Sequence, residues 1–288
     1  MIRLALRIHR EHADVVLADL LELVSSGVEE SDLPGGVVEY AIYGMPGELP
    51  VLPDLRAAVG DALVEISTSE IPDDWSERWR DFHQPITICS PAPERMSALR
   101  VRTPWESPSE RPGVREIVID PGQAFGTGAH ATTRLCLELL LALAGALGER
   151  SGLIDLGCGS GVLAIAAAAL GYAPVLALDH DQLSVTAAAH NATANGVAID
   201  ARRFDLRHDP WPIADPKALP VVLANLLRPL LLELAETLEH PPEHLIASGL
   251  LVGEAEEVSS AFARRLGMSE RERRESGEWA ALWLQADR

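Results

Sequence analysis

The chain has 288 residues, 47% hydrophobic and 23% charged, the composition of a globular protein with a sizeable core and length for about two domains. That excludes a disordered acidic tail and a low-complexity polymer. Forty-three acidic against 24 basic residues leave a net charge of −19, a field that repels nucleic-acid phosphates and either attracts basic partners or serves solubility alone.

Ile2, Leu4, Leu6 and Ile8 alternate with Arg3, Ala5 and Arg7, the period of a half-buried strand. Glu11–Ser26 carries Val15, Val16, Leu20, Leu23 and Val24 at helical spacing and stops at Gly27, where a C-terminal glycine belongs. Its Asp14, Asp19 and Glu22 do not suit a signal peptide. A strand over Val28–Leu33, a turn at Gly35-Gly36, a strand over Val37–Tyr43, a short helix over Leu55–Val59 and a strand over Ala62–Ser67 follow. This β-α-β-β-α-β order predicts a small ferredoxin-like domain over residues 1–70. It holds 4 basic and 13 acidic residues, a net of −9, and nothing of catalytic type. It reads as a module that binds or presents a substrate, or as a packing domain. Residues 71–95 read as a linker whose Trp75 and Trp79 share one helical face. Pro91, Pro93, Pro104, Pro108 and Pro112 punctuate the entry to a second domain, placed at residues 96–288.

From Glu116 onward strands and helices alternate. Strands are predicted at Ile117–Ile119, Leu153–Leu156, Val175–Leu178, Asp200–Phe204, Val221–Ala224, Leu245–Ser248 and Trp279–Leu284. Helices are predicted from a threonine cap at Thr132–Thr133 through Leu147, and at Val162–Leu170, Leu183–Ala194, Leu230–Leu238 and Glu254–Leu266. The pattern predicts an α/β, doubly wound, mainly parallel sheet. Val162–Leu170 is the longest apolar run and is well short of the roughly 18–20 residues of a membrane span. Cys89, Cys136 and Cys158 have no CxxC spacing, which disfavours a disulfide framework or zinc site and fits a reducing cytoplasm.

Such sheets bind ligands at the carboxyl ends of their strands. Asp155-Leu-Gly157-Cys-Gly159-Ser-Gly161 stands at one of them. Glycines there let the backbone turn tightly and approach a ligand. The pyrophosphate fingerprint needs a glycine at position 162, which is Val162. Asp155, two before the first glycine, suits a cationic ligand better than a diphosphate. Asp179 ends the next strand, where a carboxylate accepts hydrogen bonds from both hydroxyls of an unphosphorylated ribose; otherwise it caps the following helix. Asp205 is a weaker candidate for an adenine amino group, with a surface turn as the alternative. An adenosine-type ligand with a positive charge and no phosphates is S-adenosylmethionine.

The run Asp120-Pro-Gly-Gln-Ala-Phe-Gly-Thr-Gly-Ala-His-Ala-Thr-Thr133, the glycine motif, and Ala224-Asn225-Leu226-Leu227 together resemble the bacterial ribosomal protein L-eleven methyltransferase (PrmA-type) family. Ser248-Gly249-Leu250, Gly277-Glu278-Trp279 and Trp79…Phe82-His83 are similar too. The resemblance implies a class I S-adenosylmethionine-dependent methyltransferase domain with a seven-stranded Rossmann-like sheet. It also implies an N-terminal domain that captures the ribosomal protein, and methylation of lysine and N-terminal amino groups. By motif, the donor contacts fall on Thr133, Gly157, Gly159, Asp179 and Asn225, with Phe125, Thr127 and His130 lining the same site. Asn225 is the catalytic candidate: its side-chain oxygen can accept an amine N–H, or it holds donor or loop. His130 takes a proton or braces its loop. No metal, membrane or nucleic-acid contact is expected, and a cytoplasmic monomer acting on a basic ribosomal protein is. The other readings are a methyltransferase for another protein, of the electron-transfer-flavoprotein type, or for a small molecule, and a non-catalytic donor-binding protein.

Overall fold

A computed structural model describes residues 2–13, 16–17, 20, 28–44, 49–50, 55, 62–70, 85–89, 98–121, 130–147, 150–212 and 221–287. The chain divides into two compact units, Met1–Phe82 and His83–Arg288.

In the first unit, β1 (Ile2–His9), β2 (Glu29–Leu33), β3 (Val37–Gly44) and β4 (Leu63–Glu70) form an antiparallel sheet in the order β2-β3-β1-β4. That is the order produced when the third strand of a β-α-β-β-α-β chain inserts between the first two. The alternation of β1 and β3 puts Leu4, Leu6 and Ile8 together with Val38, Tyr40 and Ile42 in one core with Ala13, Val16, Leu20 and Leu55. Arg3 and Arg7, on alternating residues of β1, both reach Glu39 of β3, at 2.6 and 2.8 Å. The helices predicted at Glu11–Ser26 and Leu55–Val59 lie partly, and Trp75 and Trp79 wholly, outside the described residues.

The second unit begins earlier than predicted. Ile86–Cys89, inside the stretch read as linker, forms β5, paired antiparallel with β6 (Ala98–Arg102), which runs parallel to β7 (Val114–Val118). Four residues of which only Ile88 is buried make too short an alternation to stand out among prolines.

The main sheet has seven strands in the order β10-β9-β8-β11-β12-β14-β13. They are β8 (Leu153–Leu156), β9 (Val175–Asp179), β10 (Asp200–Arg203), β11 (Val221–Asn225), β12 (His244–Leu251), β13 (Met268–Ser276) and β14 (Trp279–Ala286). β8 to β12 are mutually parallel; β14 runs antiparallel to β12 and β13. Helices α1 (Ala131–Ala146), α2 (Val162–Ala169) and α3 (Gln182–Ala194) cover one face, while α4 (Arg228–Thr237) and α5 (Ala255–Leu266) cover the other. The central strand β8 is buried along its whole length, as a doubly covered parallel strand must be. This is the doubly wound, mainly parallel sheet predicted from the alternation, with the seven strands that the resemblance implies. Among the described residues no helix is long and apolar enough to cross a membrane.

β13 was not predicted. Its sequence, Met-Ser-Glu-Arg-Glu-Arg-Arg-Glu-Ser, has one apolar residue, because it is an edge strand that, among the described residues, pairs only with β14. Arg273 pairs with Glu270 and Glu256, and Arg274 with Glu272 and Glu138. A charged edge resists pairing with other chains.

Candidate active site

The ends of β8 and β9 build the centre of the site. After Leu156 the chain turns sharply through Gly157, at φ +74°, a conformation that favours glycine; a methyl group there would also lie 2.5 Å from Leu226 Cδ2, which would have to move. Gly157 and Cys158 donate their N–H groups to the carbonyl of Leu178, tying the turn to β9. Asp179 completes the link. Its Oδ2 accepts the Gly159 N–H at 2.9 Å and its Oδ1 accepts the Asp181 N–H at 3.0 Å. Asp179 is buried. It is not the helix cap: Asp181 fills that role, accepting the Leu183 N–H at 2.9 Å.

A cavity of about 260 Å³ opens beside this turn, near the small end of ligand clefts. Gly157, Asp179, Phe204 and Leu226 are among its walls. Asp205 also lines it, yet its carboxylate is engaged by the Arg207 N–H and by His208 Nδ1, both at 2.9 Å. Hydrogen bonding to His208 holds the Asp205 carboxyl below its ordinary range. The turn alternative thus describes its bonding, while its position is the one expected of a ligand-facing residue.

Asp155 lies behind the turn, fully buried on β8. Its Oδ2 accepts the Ala164 N–H at 2.9 Å, and its Oδ1 has no hydrogen-bond partner among the described residues. Burial, opposed by that bond and reinforced by Asp179, pushes its carboxyl up to about 7.

A second cluster forms where β11 ends. Asn225 Nδ2 donates to Thr133 Oγ1 at 3.4 Å. Thr133 is buried in the first turn of α1. Because the amide is planar, turning Nδ2 toward Thr133 turns Oδ1 away from it. Next to this pair, the single Ser248 O–H has two carbonyl acceptors in reach, Ala280 at 3.1 Å and Thr132 at 3.4 Å. The start of α1 differs from prediction: His130, not a threonine, caps it, its Nδ1 accepting the Thr132 N–H. The same Nδ1 lies 2.8 Å from Thr132 Oγ1, and the ring meets Trp279 edge-on at 4.9 Å. Burial holds the imidazole below its ordinary value. The capping nitrogen explains why neither threonine is needed as a cap and why Thr133 is free to face Asn225.

Gly157, Gly159 and Asp179 therefore come together, as do Thr133 and Asn225, with His130 one residue outside α1. Phe125 and Thr127 lie outside the described residues. The motifs did not point to Leu226 as the residue packed over Gly157. Nor did they point to the polar contacts of Asn191 and Asn195, whose partners are distant in the sequence.

A profile of the family described as "Ribosomal protein L11 methyltransferase (PrmA)" matches residues 54–287. A ribosomal protein L11 methyltransferase of Geobacter metallireducens is 38% identical over 218 residues, covering 74% of this chain and 67% of that protein. One of Symbiobacterium thermophilum is 32% identical and covers 91% of each. The crystal structure of ribosomal protein L11 methylase from Lactobacillus delbrueckii subsp. bulgaricus is similar with a TM-score of 0.57 and 31% identity. It covers 66% of this chain and 95% of that one.

Proposed function

The chain belongs to the ribosomal protein L11 methyltransferase (PrmA) family, and on that premise we propose that it transfers methyl groups from S-adenosylmethionine to lysine side-chain and N-terminal amino groups of ribosomal protein L11. The observation that carries this reading is the link between the glycine turn and Asp179, from the Gly159 N–H to the carboxylate at 2.9 Å, at the wall of the cavity.

The residues present fit the donor. Asp179 keeps further lone pairs for ribose hydroxyls after accepting two backbone N–H groups. Phe204, Leu178 and Leu206 give the cavity an apolar wall for a base. Asp179, in the cavity wall, disfavours a diphosphate and suits a positive charge. When bound, S-adenosylmethionine supplies a methyl group already activated by its sulfonium. The protein then has to orient an acceptor and keep water out, which is catalysis by proximity. A lysine amine titrates near ~10.4 and has no lone pair while protonated, so leaving water at the site mouth helps by favouring the neutral form. Asn225 Oδ1, turned away from Thr133, accepts an N–H of that neutral amine without adding charge.

Asn225→Ala is expected to lower kcat by roughly tenfold, the loss of about one useful hydrogen bond, while the KM for donor changes less than about twofold. Equal losses in both would make Asn225 a donor-holding residue instead. The function itself is tested with isotope-labelled donor, purified L11 and the whole protein, locating the label by peptide mass spectrometry. Label on L11 lysines and its N-terminus is expected. An unlabelled L11 beside a labelled protein of another kind, or a labelled small molecule, would replace the substrate.

We place capture of L11 on the first unit, whose residues 1–70 carry a net −9 and face a basic target. The later residues carry the donor site, and the setting is the cytoplasm. The KM for L11 is expected to rise severalfold as salt increases from about 0.05 to 0.5 M, since screening shortens the field to a few ångströms. The KM for donor, set by local hydrogen bonds, should change little. A salt-independent KM for L11 would remove the charge argument.

A further inference from the structure

Helix α3 carries Asn191 and is closed by Asn195 as its C-cap, and the side chains of both act on backbone. Asn195 Oδ1 accepts the Val118 N–H at 2.8 Å and its Nδ2 donates to the Val118 carbonyl at 2.7 Å. One helical turn earlier, Asn191 Oδ1 accepts the Asp120 N–H at 3.0 Å and its Nδ2 donates to the Asp120 carbonyl at 3.4 Å. Val118 ends β7 and Asp120 stands two residues beyond it, and the N–H and C=O groups of both meet this side of the chain. Two side-chain amides, four residues apart, thus satisfy an edge that a neighbouring strand would otherwise pair. Asn191 does one thing more. Its Nδ2 also donates to the Ser160 carbonyl at 2.9 Å, inside the glycine turn, and the residue is buried. The same helical face presses on that turn, where a methyl at Gly161 would lie 2.8 Å from Ala188 Cβ.

We propose that Asn191 is a positioning residue for the methyl-donor site: through Ser160 it holds the turn that delivers the Gly159 N–H to Asp179, and through Asp120 it registers that turn against the chain leaving β7. Asn195 grips the same strand end without touching the turn and is the built-in comparison. Hydrogen bonds to buried backbone contribute to holding it in place, so removing the Asn191 amide takes away its hold on the Ser160 carbonyl and loosens the donor-binding turn. The Asn195 amide reaches Val118 and, through Nδ2, the Asn191 carbonyl at 2.7 Å, and makes no hydrogen bond to the turn among the described residues. The proposal rests on the donor reading for its affinity consequence but not for its structural one.

The test compares Asn191→Ala and Asn195→Ala in the full chain by two measurements. Calorimetric titration with S-adenosylmethionine should show Asn191→Ala binding about tenfold more weakly and Asn195→Ala within about twofold of the unaltered protein. Without donor, amide hydrogen exchange at Gly159 and Gly161 should speed up at least tenfold in Asn191→Ala and stay unchanged in Asn195→Ala, although both lower the melting temperature. Equal exchange and equal affinity in the two variants would overturn the proposal and leave Asn191 as a brace of β7 alone. Failure of the unaltered protein to bind the donor would instead overturn the methyltransferase reading, and the exchange measurement would still decide the role of Asn191. If Asn191→Ala does not fold, Asn191→Asp, which keeps the acceptor for Asp120 N–H and loses the donor to Ser160, carries the same expectation for exchange.

Discussion

Replacing Asp179 by alanine is expected to weaken S-adenosylmethionine binding by about 1.5–3 kcal/mol, roughly 10- to 150-fold, the range for hydrogen bonds to a charged group. Two losses add. The ribose hydroxyls lose their acceptor, and the Gly159 and Asp181 N–H groups, at 2.9 and 3.0 Å from the carboxylate, lose theirs, so the turn beside the cavity is less well fixed. The fold should survive, because the core on both faces of the sheet is built from other residues. Asp179→Asn separates the two losses. It keeps one oxygen for a backbone N–H, but its amide nitrogen faces the other N–H, so its donor affinity should lie nearer that of alanine than of aspartate. Calorimetry giving an unchanged affinity for Asp179→Ala, with circular dichroism also unchanged, would remove Asp179 from the donor site.

What the residues reveal before folding follows from how local the signal is. The strand at Leu153–Leu156 and the helix starting at Val162 are legible because a buried apolar run, a glycine turn and an alanine-rich helix succeed one another over seventeen residues, 153–169. Asp179 is legible because it ends a short apolar strand. The edge strand Met268–Ser276 is not, since alternation of charge with charge carries no hydrophobic period. His130 as cap is hidden because threonine is the commoner cap and stands two residues away. Asn191 is hidden for another reason: its partners, Asp120 and Ser160, lie 71 and 31 residues away. No spacing within the helix reports a contact made with a strand end and a turn. Leu226 over Gly157 is likewise a long-range fact that only the parallel pairing of β8 with β11 creates.

Asp155 makes the other large prediction, and its sign follows from burial. In an unfolded chain an aspartate titrates near ~3.9. In the folded chain burial lifts Asp155 to about 7, with Asp179 adding to the rise and the Ala164 N–H opposing it. Between those two values the folded protein keeps a proton that the unfolded chain has released. More protons bound in the folded state means that stability falls as pH rises. The contribution is whole below about pH 4 and is lost as pH rises through about 7. At 1.36 kcal/mol for each unit of displacement, the loss is on the order of 2–4 kcal/mol. Asp155→Asn keeps an oxygen for the Ala164 N–H and carries no charge at any pH, so its stability should lack this fall. In urea titrations the variant should resemble the unaltered protein near pH 4.5 and exceed it at pH 8, by a difference in midpoint times slope that approaches the same 2–4 kcal/mol. Parallel pH curves for the two proteins would mean that folding does not displace the titration of the Asp155 carboxyl.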